Sequence, residues 1–156
     1  MKLGTKSIVV AAVLATTLLG ASIAQAELVY KNVFPLKGVV DVPCINDEVL
    51  FDGGVALMVT ATKSASGNIN ATIHLGPDQL RGIDQAGNVF KVVGAANAAI
   101  HVKNSAAKAN FECELNLVEQ GSGAVLKLHV TGSVLVQADD EIEVSLDLKN
   151  LKITCK

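Results

Sequence analysis

From Val55 onward, apolar and polar side chains alternate in short runs. Val55, Leu57, Val59 and Ala61 interleave with Ala56, Met58, Thr60 and Thr62. Ile69, Ala71, Ile73 and Leu75 interleave with Asn70, Thr72 and His74. Phe111, Cys113, Leu115 and Leu117 then alternate with Glu112, Glu114 and Asn116. Leu126, Leu128 and Val130 alternate with Lys127 and His129, and Ile142, Val144, Leu146 and Leu148 with Glu143, Ser145 and Asp147. A period of two gives each strand one buried and one wet face. Ala95 to Ile100 is apolar enough for a helical turn, but Gly94 and the flanking valines favour strand.

The punctuation between these runs is that of hairpins. Ser66-Gly67-Asn68, Gln85-Ala86-Gly87-Asn88, Gly121-Ser122-Gly123 and Ala138-Asp139-Asp140 supply positive φ or local hydrogen bonds. Near the C-terminus the phase shifts: Leu148 belongs to the even series, whereas Leu151, Ile153 and Cys155 are odd. One extra residue near Lys149-Asn150, a β-bulge, would keep them all on one face. The pattern predicts an all-β fold, an antiparallel meander of about eight to ten strands closing into a barrel, with a two-sheet β-sandwich as the alternative. An outer-membrane barrel would need aromatic girdles. Four Phe, one Tyr and no Trp cannot build them, and the polar faces carry Glu112, Glu114, Glu143 and Asp147.

The first 26 residues follow a different logic. Lys2 and Lys6 precede an apolar run from Ile8 to Leu19, and Ala24-Gln25-Ala26 is a small-residue cleavage site. This reads as a secretory signal peptide over residues 1–26, followed by one secreted β domain over 27–156. The run is too short and too diluted by Thr16, Thr17 and Gly20 to be a membrane span. The expected location is therefore secreted or periplasmic, in an oxidising setting.

Without Lys2 and Lys6 the formal charge moves from −2 to −4. A mildly acidic domain with no basic patch is a poor partner for nucleic acid or an anionic membrane. Scarce aromatics leave little to stack on bases or sugars.

Cys44, Cys113 and Cys155 lie beyond the leader, and three thiols allow three single bridges. Cys113 sits mid-strand beside Phe111 and Leu115, where a small buried apolar residue is expected. The favoured pairing is Cys44 with Cys155, closing a loop of about 110 residues.

The stretch Val42-Pro43-Cys44-Ile45-Asn46-Asp47-Glu48-Val49-Leu50-Phe51-Asp52-Gly53-Gly54 resembles the opening motif of an uncharacterised family of secreted bacterial β-rich proteins. In that family a Pro-Cys pair precedes an acidic residue, a Val and a Gly, and a cysteine lies near the C-terminus. Ser66-Gly67-Asn68 and Gly87 to Gly94 match later spots, while Phe90 stands near a usual Tyr and histidines are fewer. The resemblance implies a secreted barrel-like domain and no known activity.

Candidate chemistry is thin. No Gly-x-Ser-x-Gly elbow occurs, and Gly121-Ser122-Gly123 reads as a turn. Glu112 and Glu114 share one polar face about 7 Å apart, but no aromatic subsite accompanies them. Asp139-Asp140-Glu141 fits no calcium-loop spacing and reads as an acidic turn. Asn70-Ala71-Thr72 reads as strand polarity. His74, His101 and His129 have no metal-ligand spacing, and no Cys-x-x-Cys is present. His74 and His129 both lie on polar faces and could meet across strands, a matter of register that sequence does not give. The expectation is a non-enzymatic module with no catalytic, cofactor or metal residues, whose partner is an unknown protein. The alternative is a lipocalin-like carrier of a small apolar ligand inside the barrel.

Overall fold

The structure is a computed structural model and describes residues 27–103 and 108–156. The expected leader, Met1 to Ala26, lies outside the described residues. Eight antiparallel strands form one nearly closed, barrel-shaped sheet, with no helix among the described residues. They are β1 (Glu27–Val42), β2 (Asp47–Lys63), β3 (Ile69–Asp84), β4 (Val89–Val93), β5 (Ala96–Val102), β6 (Lys108–Glu119), β7 (Val125–Val136) and β8 (Ile142–Cys155).

The order is a meander with one shared position. β4 pairs the C-terminal part of β3, as in Gly82 with Phe90, and β5 pairs its N-terminal part, as in Ile73 with Ala98. β4 and β5 are thus two halves of one course along β3. β4 continues to β6, then β7 and β8. Among the described residues no ladder joins β5 to β6.

The alternation translates directly into burial. Leu57, Val59, Ile73, Leu75, Leu115, Leu117, Leu128 and Val130 are inside, and all belong to one core. Glycine and phenylalanine share two interior registers. Gly82 stands between Phe51 and Phe90, and Gly132 opposite Phe111. Alternating small and large residues lets curved strands interdigitate without voids. At Gly132 the constraint includes backbone: a Cβ there would lie 2.6 Å from Phe111 Cζ and 2.7 Å from the Ser145 carbonyl oxygen.

Two irregularities keep the faces consistent. Asp52 pairs Arg81 but Gly54 pairs Asp78, so β3 carries one extra residue, and Gln79 adopts φ 54°. The inward set accordingly changes from Ile73 and Leu75 to Leu80 and Gly82. On β8, His129 pairs Lys152 while Thr131 pairs Asp147. The phase shift expected near Lys149-Asn150 is present, but it takes three extra residues rather than one. The reason is local: the Asp147 carboxylate accepts the Asn150 backbone N–H at 3.2 Å and its side-chain amide at 2.9 Å. That small side-chain-held turn needs the longer excursion, and an odd number of extra residues still restores the phase.

Seven positions in a meander make the first and last strands run the same way. β1 and β8 lie against each other without a ladder. Their seam is a 180 Å³ hollow bounded by residues 35–40 of β1 and by Leu148, Lys149 and Leu151 of β8. Pro35 removes a donor from the β1 edge, as edge strands tolerate. At one end of the seam a disulfide joins Cys44, just past β1, to Cys155, the last residue of β8, with Cα atoms 5.8 Å apart. Cys113 is a buried free thiol.

Candidate functional site: an oxygen-lined trough on the outer face

The core side chains project into the interior, and the two hollows described below lie on the outer face. One, of about 590 Å³, runs over the outer faces of β6, β7 and β8. The registers assemble it. Asn110, Ser133 and Ser145 form one row across the three strands, and Glu112, Thr131 and Asp147 form the next. Short hydroxyl side chains make the floor, and longer carboxylates and an amide make the walls. Phe111 and Gly132 complete the lining.

One row further along, His129 pairs Glu114 and Lys152. Its Nδ1 lies 2.8 Å from Glu112 Oε1 and 3.5 Å from Glu114 Oε1, and its Nε2 lies 2.8 Å from Thr154 Oγ1. Glu112 and Glu114 therefore do share a polar face, as alternation implies, and the histidine sits across from them. This is an imidazole held by its neighbours. Glu112 and Glu114 remain more than half exposed.

His74 and His129 are not brought together. His74 is on β3 and His129 on β7, with β4, β5 and β6 between them in the sheet. His74 instead pairs with Asn97, and His101 Nδ1 with Asn70 Oδ1 at 2.6 Å. Among the described residues no group of three or more His, Cys, Asp or Glu is placed to hold a metal ion. Asp140 in the acidic turn takes Lys63 Nζ at 2.9 Å, tying the end of β2 to the β7–β8 turn.

A second hollow of about 490 Å³ lies over the outer faces of β1, β2 and β3, lined by Val33, Ala56, Met58, His74 and Gly76 among others, and it is almost wholly apolar. Val29 and Val33 stand exposed nearby on β1.

Two aspartates are held below their ordinary range. The Asn88 side-chain amide, with backbone N–H groups of the same hairpin, holds the Asp84 carboxyl down against the opposing effect of burial. Asn150 does the same for Asp147. Each folded-state pKa lies below the unfolded one. Their stabilisation is therefore complete above the ordinary aspartate value of 3.8. It is lost as the pH falls through the lower folded values, because the unfolded chain takes up the protons first. An Asp84→Asn, Asp147→Asn protein should show a shallower loss of stability than the native chain below that value. Urea unfolding at a series of acid pH values measures this, and parallel curves for the two proteins would refute it.

No family model, curated protein or solved structure matches this chain. Among the described residues no helix is long and apolar enough to cross a membrane.

Proposed function

We propose that this chain is a secreted, non-enzymatic interaction module that binds a partner through its outer face. The observation that carries the reading is the distribution of space: side chains fill the core, and the sizeable hollows open on the outside of the sheet. A filled small barrel offers an apolar guest no room, which favours the module over the interior carrier. The leader and the disulfide support export, since such bridges persist in oxidising compartments. Pro43-Cys44 and the near-terminal Cys155 support placement with the secreted β-rich family the sequence resembles.

Native mass spectrometry of protein purified from its own culture medium tests the reading. The expected spectrum shows the apo mass, with any adduct being a polypeptide. A retained small molecule of a few hundred daltons, released on unfolding, would instead establish the carrier.

A further inference from the structure

We infer that the outer face of β1, β2 and β3 is the contact surface of a two-fold homodimer, so that a second copy of this chain fills its apolar hollow; this rests on the interaction-module reading and names one partner. Among the described residues the exposed large apolar side chains all fall between Val29 and Val93, and β5 to β8 carry none. Exposed apolar side chains gathered on one side of a sheet mark a surface that another body covers.

The registers identify that body. Val39, Leu50 and Ile83 pair in one row across the three strands and are 58, 49 and 39% exposed, so they stand up as a ridge. Val33, Ala56 and Gly76 pair in a second row and line the hollow. Ala56 and Gly76 are small, and a Cβ at Gly76 would meet nothing within 4 Å. One face thus carries both an apolar ridge and an apolar recess. The two rows lie symmetrically about Leu36 on β1 and about its partner Gly53 on β2. A two-fold axis crossing the strands at that level lays the ridge of each copy into the recess of the other. Val33 then meets Val39, Ala56 meets Leu50, and Gly76 meets Ile83 of the second copy.

The charged rows obey the same axis. Lys31 stands one row beyond the recess, and Asp41 pairs Glu48 one row beyond the ridge. The axis therefore sets Lys31 of one copy against that acidic pair of the other. Between recess and ridge, Asp78 and Arg81 lie on the two rows flanking the axis, so each faces its opposite charge. A slip of one row would set Val33 against Lys37 or Asp41 instead. Charge and shape thus specify one register, as an isologous contact requires. From Lys31 to Asp41 and across three strands the strip measures about 35 Å by about 15 Å, the size of a small, reversible interface.

Sedimentation velocity of the disulfide-bonded protein over a wide concentration range tests the dimer. A reversible monomer–dimer equilibrium is expected. Leu50→Ser removes a knob from both halves of the contact and should weaken the dimer at least tenfold. Lys31→Asp and Asp41→Lys should each weaken it about tenfold, because symmetry applies each like-charge clash twice. An equimolar mixture of those two variants should form heterodimers of near wild-type affinity, since both cross-pairs again join opposite charges. Glu114→Gln on β6 should leave the dimer unchanged. Circular dichroism melts verify that each variant folds. Monomer at every concentration up to about 1 mM, wild-type dimerisation of Leu50→Ser, or failure of the mixed variants to associate would overturn the assignment. A monomer that carries a different polypeptide in native mass spectrometry would remove this dimer and leave the module reading standing.

Discussion

Replacing Cys44 and Cys155 together by serine is expected to lower the stability by about 5 kcal/mol at 25 °C, the chain-entropy value for a loop of this length. The bridge spans 111 residues, so it removes a large share of the unfolded chain's freedom. It also acts on the folded state, and that part is specific to this fold. β1 and β8 run the same way and share no ladder, so the seam has packing but no backbone hydrogen bonds to hold it. The disulfide clamps one end. Without it, hydrogen exchange should rise first along residues 35–42 and 148–155, ahead of the β2–β3 ladder. Cys113 provides a convenient monitor of global opening. It is 2% exposed, and burial, with the Glu112 carboxylate beside it, pushes its thiol up from the ordinary value. Its labelling should stay slow in the native protein and accelerate in the double variant. Urea midpoints within experimental error of each other would sink the proposal that this bridge matters to stability.

How far the fold could be read depended on whether one face of a strand is wet. The Val55–Ala61 and Ile69–Leu75 runs stood out because Thr60, Thr62, Asn70 and Thr72 face water beside neighbours that do the same. β1 did not stand out: Val29, Val33 and Val39 are exposed, so its apolar residues fall on both faces and hide the period. The second half of β3 was masked differently. Pro77, Asp78 and Gln79 have turn chemistry, yet the strand runs through them by absorbing one residue at Gln79. The phase shift in β8 was visible because it moved Leu151 and Ile153 to the odd series. Its length was not, because one extra residue and three have the same parity. The trough was out of reach for a similar reason. Ser133, Thr131 and Ser145 are unremarkable one by one, and only the registers of β6, β7 and β8 place them between Glu112 and Asp147. The histidine pair attracted attention by residue type, and strand order then separated its members.

Introducing aspartate at Ile73 or Leu115 is expected to leave the chain unfolded, a loss exceeding the roughly 5 kcal/mol at the lower end of ordinary domain stability. Ile73 is fully buried and Leu115 is 1% exposed, both in the single core. A carboxylate there has no cation facing it and no donor within the sheet interior, so it must lose its hydration or carry a proton at neutral pH. Leu57→Asp should behave alike. Leu146→Asp is expected to be milder, although alternation alone places Leu146 on the same footing. Leu146 is only half-buried on the edge strand β8, so water can reach a charge there. Thr60→Asp and Thr72→Asp on the outer face should change stability by no more than about 1 kcal/mol. Far-UV circular dichroism with urea titration ranks the series. Equal losses at Ile73 and Thr72 would show that the two faces of β3 are exchanged, and equal losses at Leu115 and Leu146 would show that water does not reach Leu146 on β8.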